Sequence, residues 1–327
     1  MAHLISTTEY HGMTEDTSRK LVCLSDGTLY AVYHKQLAGK YQIYVKKSTN
    51  KGVTWTDETR ISTYSGMDIQ DQYFPSIAVD SSDYLHVVWD GKATGYTKSQ
   101  IWYNKYTDSW AGPVRISTYS GMENYNQDYP SIAVDSSDYP HVVWYGTAPG
   151  YPTKEQIWYA KYTTSWTTPV RISTYSGMES RYQYYPSIAV DSLNNLHVVW
   201  RGLATGYTTY YQIWYARYTT SWATPVRIST YSGMNGTNQF VRSIAVDSSD
   251  YLHVVWHGRA TGYTKGQIWY NKYTDSWAGP VRISTYSDMD VNYQSWPSIA
   301  VDSNDYLHVV WQGKGTGDTV SKIWYAK

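Results

Sequence analysis

The sequence predicts an all-β fold, a six-bladed β-propeller of four-stranded antiparallel blades whose ring is closed by the N-terminal strand. Three observations predict it. One long segment recurs five times with a diverged sixth copy, each copy carries four short strand signals, and none of the 327 residues falls in a stretch with helical periodicity. Arg-Ile-Ser-Thr begins at Arg60, Arg115, Arg171, Arg227 and Arg282, and Ser-Ile-Ala-Val-Asp at Ser76, Ser131, Ser187, Ser243 and Ser298, so the period is 55 or 56 residues. His-Val-Val-Trp begins at His86, His141, His197, His253 and His308, and Ile-Trp-Tyr at Ile101, Ile157, Ile213, Ile268 and Ile323. In the diverged copy, Ile5 to Thr7, Leu29 to Tyr33 and Gln42 to Tyr44 stand where those motifs belong. Residues 1–327 are thereby accounted for as a single domain of six units.

The elements follow in order within one copy. In residues 74–120 the strand signals are Ser76–Asp80, Leu85–Trp89, Gln100–Tyr106 and Pro113–Tyr119, rich in Val, Ile, Thr, Tyr and Trp. Asp80-Ser81-Ser82-Asp83 reads as a tight turn, Asp90 to Ser99 as a longer loop, and Ser109 to Gly112 as a second turn. The last copy stops at a third strand, Ile323–Lys327, and Leu4–Thr8 match the missing fourth; pairing there would remove an open sheet edge. In such a blade the two tight turns share one face of the disc. The longer loop and the blade-to-blade connection share the other, where function is expected.

Composition excludes several function classes. With 27 basic and 27 acidic side chains the net charge is zero, which argues against nucleic acid as a partner. Cys23 is the one cysteine, so no disulfide within the chain and no cysteine zinc site is expected. No apolar run reaches the length of a membrane helix, so no membrane insertion is expected, and no signal peptide is visible in residues 1–20. No phosphate loop, dinucleotide fingerprint or nucleophile elbow occurs, and the acidic connections lack a calcium-loop spacing, so neither cofactor nor metal is expected. The 37 Tyr and 16 Trp against 2 Phe point instead to rings with a polar handle, suited to half-wet surfaces.

Ser48-Thr49-Asn50-Lys51-Gly52-Val53-Thr54-Trp55 lies between a third and a fourth strand. It resembles the Asp-box of sialidase-like, neuraminidase-repeat propellers, Ser-x-Asp-x-Gly-x-Thr-Trp, with Asn50 in place of the Asp. In the other copies the turn has shrunk to Ser-Trp at Ser109, Ser165, Ser221 and Ser276. The resemblance implies the propeller fold and favours an extracellular or cell-surface setting. It does not choose among the sialidases, other glycosidases, lyases and lectins that share the architecture.

The candidate site residues are those of the longer-loop face. The connections end in Tyr129, Tyr185 and Trp296 and are packed with Tyr, Asn, Gln and Asp, a mixture that stacks on sugar rings and bonds their hydroxyls. Tyr96, Tyr151, Tyr207 and Tyr263 each follow a glycine in the longer loop, and Trp89, Trp144, Trp200, Trp256 and Trp311 end the second strand. Residues 81–120 and 248–287 differ at only three positions, Asp90 against His257, Lys92 against Arg259 and Ser99 against Gly266. Arg181, Arg201, Arg242 and Arg259 crowd the fourth and fifth copies, and guanidinium forks hold carboxylates. The resemblance to sialidases, which use three arginines, a Tyr/Glu pair and an Asp, brings Glu179, Tyr182, Tyr184 and Asp128 into view without a residue-by-residue match. The His-Val-Val-Trp histidines lie in separate blades and read as packing, satisfied by a neighbouring blade or backbone. The Asp80-type aspartates read as turn formers, and the Arg-Ile-Ser-Thr arginines as solvated edge residues. The reading is a carbohydrate-binding, lectin-like propeller with several aromatic-lined sites and a carbohydrate or glycoconjugate partner. A glycoside hydrolase or polysaccharide lyase with one site, and a protein-interaction propeller, are the alternatives. No catalytic carboxylate pair stands out, and the oligomeric state is not legible.

Overall fold

The computed structural model describes residues 19–327, apart from the side chains of Val241 and Arg242. The expected closing strand at Leu4–Thr8 lies outside the described residues. The chain is a six-bladed β-propeller, and it divides into two compact units, Met1–Arg171 and Ile172–Lys327.

The first unit holds three four-stranded sheets. They are β1 (Leu21–Cys23), β2 (Leu29–Leu37), β3 (Lys40–Ser48) and β4 (Thr59–Arg60); β5 (Gln72–Val79), β6 (Leu85–Ala93), β7 (Tyr96–Tyr106) and β8 (Val114–Arg115); and β9 (Gln127–Val134), β10 (Pro140–Ala148), β11 (Tyr151–Lys161) and β12 (Val170–Arg171). The second unit holds β13 (Gln183–Val190), β14 (Leu196–Ala204), β15 (Tyr207–Tyr218) and β16 (Val226–Arg227); then β17 (Gln239–Val246), β18 (Leu252–Ala260), β19 (Tyr263–Tyr273) and β20 (Val281–Arg282); and a last sheet of three described strands, β21 (Gln294–Val301), β22 (Leu307–Gly313) and β23 (Lys322–Ala326). Every sheet is an antiparallel meander in sequence order.

Two expectations are corrected here. The supposed loop from Asp90 to Ser99 is the extension of β6 and β7 into one hairpin, with Gly91 paired to Gln100, Ala93 to Tyr96, and a turn at Thr94-Gly95 where Gly95 takes φ 85°. The fourth strand shrinks to two residues, because after Val114-Arg115 the chain leaves the sheet to start the next blade. Four of the connections contain one turn of 3-10 helix that strand periodicity did not reveal, such as Met67–Ile69 and Met122–Asn124, and the fifth, at Met289, makes a plain turn. The methionine of the connection is fully buried in every copy, at Met67, Met122, Met178, Met234 and Met289. The connection docks on the next hairpin tip: Thr94 N donates to Ser65 O at 2.9 Å, and Thr261 N to Ser232 O at 2.9 Å. That contact places connection and hairpin on one face.

The second strands are buried on both sides, His86 and His197 included. In the first unit Val88, Ile101, Ile116 and Met122 pack against Ile132, Val142 and Trp144 of the next blade. In the second unit Val199, Ile213 and Ile228 pack in the same way against Ile244, Val254 and Trp256.

The tight-turn face is held by a repeated relay. Asp80 accepts the N–H groups of Ser82 and Tyr84, which closes the turn, and also accepts His86 Nε2–H at 2.9 Å, while Tyr103 O–H donates to His86 Nδ1 at 2.8 Å. The same three residues recur as Asp135–His141–Tyr159, Asp191–His197–Tyr215, Asp247–His253–Tyr270 and Asp302–His308–Tyr325. The histidines are therefore satisfied inside their own blade, not by a neighbouring blade or the backbone. Neighbouring turns are clasped. Ser25 N donates to Asp83 at 2.9 Å and Ser81 N to Asp138 at 2.7 Å in the first unit, with both hydroxyls adding a second bond to the same carboxylates. Ser192 with Asp250, and Ser248 with Asp305, repeat the clasp in the second.

Ser48 to Trp55 forms a turn closed by Asn50, whose Oδ1 accepts Thr54 N at 2.8 Å while Ser48 Oγ accepts Gly52 N at 2.9 Å.

Candidate functional site

The structure separates the expected site residues into core, edge and rim. Trp89, Trp144, Trp200 and Trp256 have no exposed surface and Trp311 has 4 %. Their position at the loop end of the second strand suggested ligand contact; instead each indole N–H is spent inside the blade. Trp89 Nε1 donates to Gln72 Oε1 at 3.0 Å, and Gln72 Nε2 donates to Lys92 O at 2.7 Å. Gln127, Gln183, Gln239 and Gln294 do the same for the other four tryptophans. The glutamine of every connection is thus a structural clamp and not a sugar ligand. It explains an invariant glycine too, since a Cβ on Gly91 would lie 2.1 Å from Gln72 Oε1.

Tyr96, Tyr151, Tyr207 and Tyr263 are half-buried at the outer side of the hairpin. Each meets a buried strand tryptophan edge-on, as Tyr96 does Trp102 at 5.6 Å between centroids. The guanidinium of Arg115, Arg171, Arg227 or Arg282 covers the other face at 4.5–4.8 Å. These arginines were expected to be solvated edge residues. They are instead the outer layer of a cation, ring and indole stack, with Arg115 Nη1 also donating to Gln100 Oε1 at 3.3 Å.

The rim is built from the first strands. All but β1 begin with a bulge: β5 pairs Tyr73 with Asp90 and Ser76 with Val88, so Phe74 and Pro75 together oppose Trp89 alone. Phe74, Tyr129, Tyr185 and Trp296 take φ 50°, 54°, 54° and 60° at this point, each directly before a proline. In the first unit Phe74 stacks on Tyr129 at 3.8 Å between centroids, and Tyr129 on Tyr145 at 5.4 Å. His34 meets Tyr41, Tyr73 and Phe74 edge-on. In the second unit the Arg201 guanidinium lies within 4.6–5.7 Å of the Tyr184, Tyr185, Tyr211 and Phe240 ring centres. His257 lies flat on Phe240 at 4.9 Å and faces Trp296, which is 40 % exposed.

The four arginines have different places. Arg201 is the caged one, Arg259 is exposed on a hairpin, Arg181 follows a 3-10 turn with its N–H on Met178 O, and the Arg242 side chain is not described.

One register was only partly read. Arg201 and His257, named as candidates, and Asp90, named as varying, share it with His34, Tyr145 and Gln312, which were missed; each lies one residue after the buried aromatic of a second strand, and no two adjacent blades share a residue type there. These side chains face the bulges. Asp90 is 2 % exposed; it accepts Tyr129 N at 3.0 Å and Ser99 Oγ–H at 3.3 Å. The Asp128 carboxyl is pushed up to about 6, first by burial and then by Glu155, against the pull of Ser99 and Lys92. Among the described residues no group of three His, Cys, Asp or Glu side chains is placed to hold a metal ion.

No family model and no curated protein matches this sequence. Solved structures do match in shape. A protein of unknown function from Dyadobacter fermentans DSM 18053 is similar with TM-score 0.62 at 10% identity, over 96% of this chain and 97% of that one. The intramolecular trans-sialidase from Ruminococcus gnavus is similar with TM-score 0.58 at 10% identity, over 96% and 94%. The alpha-L-arabinanase of Penicillium chrysogenum, complexed with arabinobiose, is similar with TM-score 0.56 at 12% identity, over 97% and 99%. At these identities the likeness is one of fold, and the fold is that of the sialidase-type six-bladed propellers.

Proposed function

We propose that the chain is a carbohydrate-binding propeller that stacks sugar rings on the bulged aromatics of its first strands. One observation carries the reading: four repeats keep an aromatic residue at φ 50–60° immediately before a proline. A bulky residue held there costs on the order of 1–3 kcal/mol, and such strain is retained where it positions a side chain for use. The CH face of a sugar stacks on these rings, and the nearby tyrosine hydroxyls and aspartates supply partners for its hydroxyls. That a trans-sialidase and an arabinanase share the fold supports the same reading by analogy. The residue opposite the bulge changes from blade to blade, which favours unequal sites over several equivalent ones. The test is a glycan array read for bound glycan and for released product, followed by Tyr129→Ala. Binding that falls roughly fivefold, the loss of about 1 kcal/mol of ring contact, is expected. An array with no bound glycan sinks the proposal and favours a protein-interaction role.

A second reading rests on Asp128. Its carboxyl, pushed up to about 6 by burial with Glu155 nearby, is poised as the acid that glycosidic cleavage needs. Under that reading the array releases product, and Asp128→Asn lowers the rate by about 100-fold or more while binding persists. Full turnover by Asp128→Asn would remove Asp128 from the chemistry.

A further inference from the structure

Within each unit, neighbouring blades meet on both faces, and the two faces follow opposite rules. On the tight-turn face the junctions are alike: Ser25, Ser81, Ser192 or Ser248 of one blade clasps Asp83, Asp138, Asp250 or Asp305 of the next. On the long-loop face the contacts change from junction to junction. The residue before the clamp glutamine reaches back to the preceding hairpin. Asp71 accepts Tyr41 N–H at 3.0 Å and pairs with Lys40 at 3.4 Å, Asn126 accepts Ser99 N–H at 3.1 Å, and Asn238 accepts Tyr211 N–H at 2.9 Å. Tyr293 stands there in the last blade, with Lys265 Nζ 5.0 Å from its ring centre. The residue opposite the bulge changes too. His34 meets Tyr73 and Phe74 edge-on, Asp90 accepts Tyr129 N–H at 3.0 Å, the Arg201 guanidinium lies 4.8 Å from the Phe240 ring centre, and His257 faces Trp296. No two of these four junctions carry the same pair of contacts.

Two near-duplicate segments isolate what the variation is for. Residues 81–120 and 248–287 differ only as Asp90 against His257, Lys92 against Arg259 and Ser99 against Gly266. Lys92 and Arg259 carry the same charge. The other two positions are the ones that touch the blade that follows. Ser99 Oγ–H donates to Asp90 at 3.3 Å and so braces the carboxylate that holds the Tyr129 bulge. At Gly266 a Cβ would lie 3.2 Å from the Gln294 carbonyl oxygen and 3.5 Å from the Tyr293 ring, so the serine of the sister segment would crowd that successor. A chain of near-identical blades can join one to the wrong successor, within one molecule or between two. A buried group that finds its partner in only one successor discriminates against that error. We infer that the long-loop pairs are a junction code: they specify which blade follows which, whereas the clasps join any blade to any other. A miscoded junction still closes through its clasp and loses the bonds of the other face. This inference stands whether or not the rim binds sugar.

The test moves one half of a code, then both halves, in the full chain. Asp90→His, Lys92→Arg and Ser99→Gly together give residues 81–120 the sequence that this chain already folds at 248–287, but opposite a successor that does not match. Adding Asn126→Tyr and Tyr129→Trp supplies the matching successor. The triple variant is expected to melt about 4 °C or more below the wild type, because the Tyr129 N–H loses a charge-assisted bond, and the five-site variant to regain most of that loss. Refolding from urea reads the order of the blades. The fraction recovered as native monomer should fall about twofold in both variants, since in the five-site variant two junctions carry one code and compete. A triple variant that melts with the wild type, or a five-site variant no better than the triple, overturns the pairing. A five-site variant that refolds with wild-type yield overturns the ordering role. Should the triple variant not fold, folding of the five-site variant supports the code and its failure to fold overturns it.

Discussion

His86, His141, His197 and His253 are the residues on which acid acts first. Burial pushes each imidazole below its ordinary pKa, against the upward pull of its aspartate partner. A folded-state pKa below the unfolded value of about 6.5 means that the folded state binds fewer protons, so this stability is complete above that pH and is lost as pH falls through it. Burial also works against the carboxylates of Asp135, Asp191 and Asp247, but their histidine and backbone donors outweigh it and hold them below the usual range. Their contribution is lost at lower pH, below about 4. Melting temperature should therefore be flat from pH 8 to 7, fall between about pH 6.5 and 5, and fall again below 4. A curve that stays level down to pH 5 would contradict the depressed histidines. The aspartates were legible as turn formers because Asp-Ser-Ser-Asp has that chemistry. Their second role was not, because the histidine lies six residues on and the tyrosine returns from the next strand, 17 residues beyond His86.

At the scale of elements, the turns carry more than chain reversal. Asp83 sits at φ 62° and accepts two bonds from Ser25 of the preceding blade, and the donors from Ser81 hold the Asp138 carboxyl below its ordinary range. Asp83→Ala removes a charge-assisted pair and leaves a strained alanine, so a loss of about 1–2 kcal/mol is expected from urea unfolding. A change under about 0.3 kcal/mol would show that water replaces the clasp without cost. Strands were legible where β-branched and aromatic residues cluster, as in Leu85 to Trp89. The hairpin arm beyond Trp89 was not, because Asp90-Gly91-Lys92 and Thr94-Gly95 have the composition of a loop. Pairing continues through them because Gly91 yields space to Gln72, a residue of a different strand that no local window contains.

For the molecule as a whole, repetition made the fold readable and partly hid the site. Five copies of His-Val-Val-Trp fix the blade count, yet aligning them draws the eye to what is shared, and the shared Trp89 and Trp256 are core. The position that varies, Asp90 or His257, is the one that faces the bulged rings. Tyr129, Tyr185 and Trp296 were legible as aromatics of the connections. Phe74, one of only two phenylalanines, was passed over although it fills the same bulge. The serine–aspartate clasps have one more consequence. Each of the four clasps runs from the second turn residue of one blade to the fourth of the next, so it is directional, head to tail, and the same at Ser81 with Asp138 as at Ser248 with Asp305. A joint of that kind does not count its members. A tandem duplication or deletion of one repeat at the gene level replaces one clasp with another like it. Chain length in such a lineage can therefore drift by whole blades without a new contact having to be invented.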